Sequence, residues 1–143
     1  MAVFSADAVQ TINPGESVIF TNTIVPDNTG HIHHRDETGS FLLAGVVKCR
    51  CKKFATYTVD FGANIALSEG SAVGPISVGI SVNADTVPSS EMIVTPAAVE
   101  EFFNVSREMA VDIWAGCWET VSIRNLSSVP IDMQNATIDI NYK

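Results

Sequence analysis

Charge is what this sequence has least of. Only 17% of its 143 residues are Asp, Glu, Lys or Arg, against about a quarter in an average globular chain, while 46% are hydrophobic. A small domain so short of charge is expected to cover part of its outer surface with copies of itself, the alternative being a Ser/Thr-rich solvated surface. Positive charge is scarcer still: eight Lys and Arg stand against sixteen Asp and Glu, a net charge of −8. That balance excludes a nucleic-acid-binding module, which needs a basic stripe to displace counterions. Three cysteines make a poor disulfide framework and suit a reducing compartment. No apolar run approaches the ~20 residues of a membrane span. Met1–Asp7 has neither the basic start nor the apolar run of a secretory leader. The expectation is a cytoplasmic protein without a signal peptide and with no membrane partner. Catalytic signatures are missing too: there is no nucleophile elbow, phosphate-cradling glycine loop or metalloprotease helix. Glu100 and Glu101 are neighbours whose side chains diverge, so they do not form a catalytic dyad.

What is present is alternation. In Pro75–Asn83 the set Ile76, Val78, Ile80 and Val82 alternates with Ser77, Gly79, Ser81 and Asn83. In Phe54–Phe61 the set Ala55, Tyr57, Val59 and Phe61 alternates with Thr56, Thr58 and Asp60. A period of two sends successive side chains to opposite faces, which predicts strands with one buried and one wetter face.

Further strands are expected at Val9–Ile12, Ser17–Val25, His31–Arg35, Ser40–Val47, Lys53–Phe61, Ile65–Leu67, Met92–Thr95, Val105–Ile113, Trp118–Asn125 and Ile131–Tyr142. Breakers such as Asn13-Pro14-Gly15 and Pro26-Asp27-Asn28-Thr29-Gly30 separate them. Gly62-Ala63-Asn64 reads as a bend or bulge, and Thr95-Pro96-Ala97-Ala98 could open one helical turn. In the last strand Ile131 and Met133 hold odd positions, whereas Ala136, Ile138, Ile140 and Tyr142 hold even ones. A bulge near Gln134-Asn135 would keep both sets on the core face. The pattern predicts a single domain over residues 1–143, with 1–16 an arm or first strand. Its class is all-β, an antiparallel β-sandwich for which a jelly roll is one arrangement.

Particular segments resemble a known family. Lys53–Asn64, then Gly74-Pro75-Ile76-Ser77-Val78, Ile93–Ala98, Trp118–Asn125 and Asn135-Ala136-Thr137-Ile138 follow an order similar to small TNF-like jelly rolls. These are the tumour necrosis factor and complement globular-head domains, here most like their bacterial and bacteriophage versions. Trimeric heads of spore-surface filaments are included. The likeness spans roughly Val47 to Tyr142. It implies a non-enzymatic homotrimer whose subunits pack through one sheet. Without a collagen-like Gly-X-Y stem, the chain looks like a structural component on the outside of a bacteriophage virion. Head decoration, head fibre and tail-associated protein are the options, assembled in the bacterial cytoplasm and in contact with other virion proteins such as a capsid shell. The alternative is a carbohydrate- or receptor-binding head on a bacterial cell or spore.

Four groups of residues invite a functional reading. His31, His33 and His34 could ligate a divalent metal, since His31 and His33 would share a strand face; solvated imidazoles on an edge are the plain alternative. No other cofactor is suggested. Cys49 and Cys51 would share a face, so a bond between them would be strained, and either could meet Cys117; buried free thiols are the alternative. Lys48, Arg50, Lys52 and Lys53 form a basic cluster that could dock against an acidic partner such as a capsid shell, or guard an edge. Trp114 and Trp118 point away from the core by parity, which suits a subunit interface, a glycan platform or a lid over one end.

Overall fold

The computed structural model describes residues 1–143. In chain order the strands are β1 (Ala2–Ala6), β2 (Gln10–Ile12), β3 (Asn22–Val25), β4 (Ile32–Arg35), β5 (Ser40–Ala44), β6 (Phe54–Leu67), β7 (Ile76–Val82), β8 (Asp85–Thr86), β9 (Met92–Val94), β10 (Phe103–Trp114), β11 (Trp118–Asn125) and β12 (Ile131–Tyr142). They form two antiparallel sheets. The first runs β10-β6-β12-β1-β3, with β2 also on β12; the second runs β4-β5-β11-β7-β8, with β9 also on β7. Their inner faces enclose one core of 30 buried residues, including Phe20, Phe41, Tyr57 and Phe61. This is the jelly-roll sandwich that the alternation predicts.

The longest strand of the first sheet is β6, between β10 and β12. Ala55, Tyr57, Val59, Phe61, Ala63 and Ile65 are buried on one face, while Thr56, Thr58, Asp60, Gly62 and Asn64 point outward. The bend or bulge expected at Gly62-Ala63-Asn64 does not occur: β6 pairs with β10 without a slip from Phe54↔Trp114 to Ile65↔Phe103. The irregularity falls on β12 instead, between Gln134 and Thr137, where Asn135 takes a φ of 52°. There the expected bulge returns Ala136, Ile138 and Ile140 to the core face that Ile131 and Met133 occupy.

Ser17–Val25, expected as one strand, is divided between sheets. The Val18 N–H donates to Ile123 O of the second sheet (2.8 Å), and the Thr21 N–H to Ser5 O of the first (3.0 Å). Val18 and Phe20 fill the core as the chain crosses, and only Asn22–Val25 pairs as β3. No helix forms at Thr95–Ala98; the one helical turn is a 3-10 turn at Pro88–Ser90. The polar face of β7, which alternation assigns to solvent, is buried at Ser77, Gly79 and Ser81. The Pro88–Ser90 turn and Leu126 lie over it, Leu126 so near that a Cβ on Gly79 would come within 2.7 Å of its Cδ1.

Two hydroxyls close that cover. Ser90 Oγ accepts the Ile80 N–H (2.8 Å) and donates to Val87 O (2.6 Å); Ser127 Oγ accepts the Ser77 N–H (2.8 Å). Ser90 is buried, so Ser90→Ala strands an amide away from water and is expected to cost about 1–3 kcal/mol. At half-buried Ser127 water can replace the lost partner, so Ser127→Ala is expected to cost less, about 0.5–1 kcal/mol. Urea unfolding of the two variants checks the order; equal losses would mean that Ser90 does not seal the turn.

Candidate functional site

The histidines begin where a loop is pinned. Asp27 is partly desolvated, which raises its pKa, but its carboxylate accepts from the Thr29 hydroxyl (2.7 Å) and from the backbone N–H groups of Thr29, His31 and Ile32 (3.2, 2.9 and 3.0 Å). The bonds win and its pKa is lowered. This clamp starts β4, on which Ile32 and His34 turn inward and His33 outward. The three imidazoles therefore separate. The His31 ring lies 5.2 Å from Tyr142, His33 lies 5.4 Å from Trp118, and His34 stacks on Phe41 at 4.7 Å. His31 and His33 do not share the strand face expected of them, because His31 precedes the strand and turns toward the other sheet. Within the chain no three His, Cys, Asp or Glu side chains are grouped to hold a metal ion.

His34 is tuned by its surroundings. Burial lowers its pKa, and the carboxylate of Asp36, 2.8 Å from Nδ1, opposes the shift without cancelling it. Nε2 is buried without a partner, between the rings of Phe4 and Phe41. The proton thus sits on Nδ1, and adding a second at Nε2 would create an N–H with no acceptor.

Residues 45–53 are a loop, not the strand whose two faces would have divided the cysteines from the cations. Cys49, Cys51 and Cys117 are exposed rather than buried. Cys49 and Cys51 are disulfide-bonded across Arg50, and Cys117 is free. So short a ring removes little chain entropy, and the bond is worth at most about 2 kcal/mol. Lys48, Arg50, Lys52 and Lys53 are all exposed on this loop. The loop rests on Tyr142, whose hydroxyl donates to Val46 O (2.6 Å) and whose ring lies 5.7 Å beneath Lys48 Nζ.

The two tryptophans flank the hairpin that joins the sheets, β10 to β11. Gly116, with φ 82°, makes the turn, and the Cys117 N–H closes it on Trp114 O (2.9 Å). Gly45 lies flat against this turn: its N–H donates to Cys117 O (2.7 Å) and its carbonyl accepts from Gly116 (2.8 Å). A Cβ there would fall 2.0 Å from Trp114 O, so only glycine fits. The ring of Trp114 is 54% exposed and packs on Phe54, 4.3 Å away; Trp118 is 49% exposed. Trp114, His33, Trp118 and the basic loop thus gather at one end of the sandwich, although the sequence scatters them from residue 33 to residue 118. Phe54 belongs with them and escaped the sequence reading. The signal was available, since parity puts Phe54 opposite Ala55 and Tyr57.

Two acidic features were also missed. Glu108, Asp60 and Asp139 are paired across β10, β6 and β12, in a row on the outer face of the first sheet. Burial, with Asp60 and Glu108 beside it, raises the pKa of Asp139. At the far end Glu100 reaches Asp132. The hydrogen bond between them raises the pKa of Glu100, while Asp132, despite its burial, is lowered by that bond and by those from Ser68 (2.7 Å) and Thr11 (2.8 Å). Neither lines a surface hollow, so the pair ties the turn before β10 to β12, and Thr11 joins β2 to the same carboxylate, rather than facing a substrate.

Two outcomes are expected. Because folding lowers the proton affinity of His34, the unfolded chain binds more protons below the unfolded pKa; stability is lost as pH falls from the ordinary imidazole value of about 6.5 through the folded one. His34→Phe should flatten the melting temperature between roughly pH 7 and 5, and an unchanged slope would put the sensitivity elsewhere. Gly45→Ala should cost about 3 kcal/mol or more, because backbone cannot yield as a side chain can. Tryptophan emission should shift with it, since the displaced hairpin carries both indoles.

No family model matches the sequence, and no curated protein matches it. Solved structures do. The globular domain of the zebrafish complement 1qA protein is similar over 98% of this chain and 94% of its own, with a TM-score of 0.66 and 14% identity. Eiger TNF from S. frugiperda is similar over 99% of this chain and 90% of its own, with a TM-score of 0.69 and 13% identity. The fold is therefore the jelly roll of the TNF and complement globular-head kind.

Proposed function

We propose that the chain is a non-enzymatic structural module that assembles as a homotrimer through the outer face of its first sheet. One contrast carries this reading. The outer face of the second sheet is already covered along β7 by the chain's own turn and by Leu126, so that even Ser77 and Ser81 are buried. The first sheet has no such cover. Beyond the corner formed by Phe54, Trp114, Thr56 and Asp112, its outward row is Thr58, Asp60, Gly62 and Asn64 on β6 and Asn104, Ser106, Glu108 and Ala110 on β10. Short side chains and no Lys or Arg leave a flat surface that another copy can approach closely. Burying it would account for the low charge of the whole chain.

The place we propose for such a trimer is the exterior of a bacteriophage particle, as a head decoration, head fibre or tail-associated protein against other virion proteins. The resemblance to phage jelly rolls supports this reading. Its mechanism is packing: three copies shield one another's open sheets and present their remaining surfaces outward. A ligand-binding head is the second reading, favoured by the exposure of Trp114 and Trp118.

Sedimentation equilibrium at micromolar concentration should give a mass three times 15.3 kDa. Thr58→Glu, at the middle of the open face, should return the protein to a monomer with its strand circular dichroism intact. A wild type that sediments as a monomer removes the assembly reading. For the place on a particle, the chain should appear among the proteins of density-banded particles from a lysate of its source.

A further inference from the structure

The basic end of the sandwich, where the outward row of the first sheet runs out, carries a second feature. Three lysines, Lys52, Lys53 and Lys143, line one hollow of about 350 Å³, together with Phe54, Thr56 and Asp112. Lys143 is held there by its backbone N–H on Thr56 O (2.9 Å). Lys48 stands at the border over Tyr142, on the same loop as Arg50. Five of the eight Lys and Arg of a chain with net charge −8 thus meet at one end. None of the eight is ion-paired, the one ion pair being His34 with Asp36. At the rim, Phe54 and Trp114 present 36% and 54% of their surface to solvent.

We propose that this corner binds an anionic polysaccharide, one sugar ring seated against Trp114 and Phe54 with its carboxylate or sulfate among the lysines. Three observations favour a saccharide over an acidic protein surface. The site is an open hollow whose lining rises around its floor, which suits a chain lying in it better than a flat face lying over it. An exposed indole offers an apolar plane to the C–H face of a sugar while its edge stays wet. The lining cations are lysines, mobile point charges suited to anions spaced along a flexible chain rather than to one bidentate partner. Asp112 supplies the polar contact. Its Oδ1 already accepts from the Thr56 hydroxyl (2.6 Å), which fixes the carboxylate, and its remaining lone pairs can take a sugar hydroxyl. Its negative charge also discriminates against dense polyphosphate-like chains, which would press an anion onto it.

The elements that build the corner arrive from three directions. The loop after β5 brings Lys52 and Lys53, the paired ends of β6 and β10 bring Phe54 and Trp114, and the end of β12 brings Lys143. Gly45 holds the hairpin of Trp114 in place. All of its residues come from one protomer, and because Phe54, Thr56, Asp112 and Trp114 end the outward row of the first sheet, the corner stays open in a trimer that packs on the middle of that face. Where three copies assemble, three corners raise avidity for a repeating chain.

The test is binding of the whole chain to immobilised hyaluronan (carboxylated) and dextran sulfate, with neutral dextran and poly-glutamate alongside. Binding to one or both anionic polysaccharides is expected, weakening about tenfold or more between 50 and 200 mM salt as screening sets in, with none to neutral dextran. Lys52→Glu with Lys53→Glu should abolish it, and Trp114→Ala should weaken it about tenfold, both with unchanged thermal melts. Failure to bind either polysaccharide overturns the proposal. So does binding of poly-glutamate as tightly as the polysaccharides with no effect of Trp114→Ala, which would assign the corner to an acidic protein partner. Sedimentation of the same samples separates this result from the fate of the trimer.

Discussion

The constraint on which the rest depends is that β6 runs straight for fourteen residues between two long partners. Its inward side chains from Ala55 to Ile65 meet those of the second sheet, and every outward position is set by the same pleat. A bend at Gly62 would have turned Phe54 and Trp114 away from the residues they now join. The strain of matching three long strands is taken up on β12, where one left-handed residue, Asn135, absorbs the mismatch. A bulge there costs one pairing step, whereas a bend in β6 would also have broken its unslipped pairing with β10.

From that frame the two ends of the sandwich acquire different chemistry. At one end Asp132, Thr11, Ser68 and Glu100 form a closed hydrogen-bonded knot, with each polar group answered by another. At the other end the cations are unpaired and the large rings exposed. Internal satisfaction marks a structural tie, while unanswered charge beside exposed aromatic surface marks a place for a partner. The faces differ in the same way. The second sheet is roofed by its own chain, and the first is left as short side chains around a row of carboxylates.

Much of the fold was legible in the amino acids because hydrophobic alternation is a local signal. The bulge near Gln134 is an instance: the parity of Ile131 and Met133 against Ala136 and Ile138 demands one extra residue whatever the partner strand is. Ser17–Val25 shows the limit. Its pattern reads as one strand, yet which sheet each half joins depends on Ser5 and on Ile123, partners outside the segment itself. The serines of β7 show another, since polarity says that the Ser81 hydroxyl needs a hydrogen bond but not whether water or Thr86 supplies it. The cysteines were misread for a related reason. Spacing placed them on a strand, and the clamp of Gly45 on the hairpin ends that strand at Ala44.

The sequence by itself determined the layered class of the fold, the inward set of each long strand and the excess of acid over base. Those properties follow from nearest neighbours along the chain and from composition. Only the tertiary structure decided that Lys52, Lys143, Phe54 and Trp114 share one corner, that His31 and His33 part, and that one sheet is roofed while the other lies open. These depend on which strands lie side by side, and that is settled by packing between residues that can be more than a hundred positions apart.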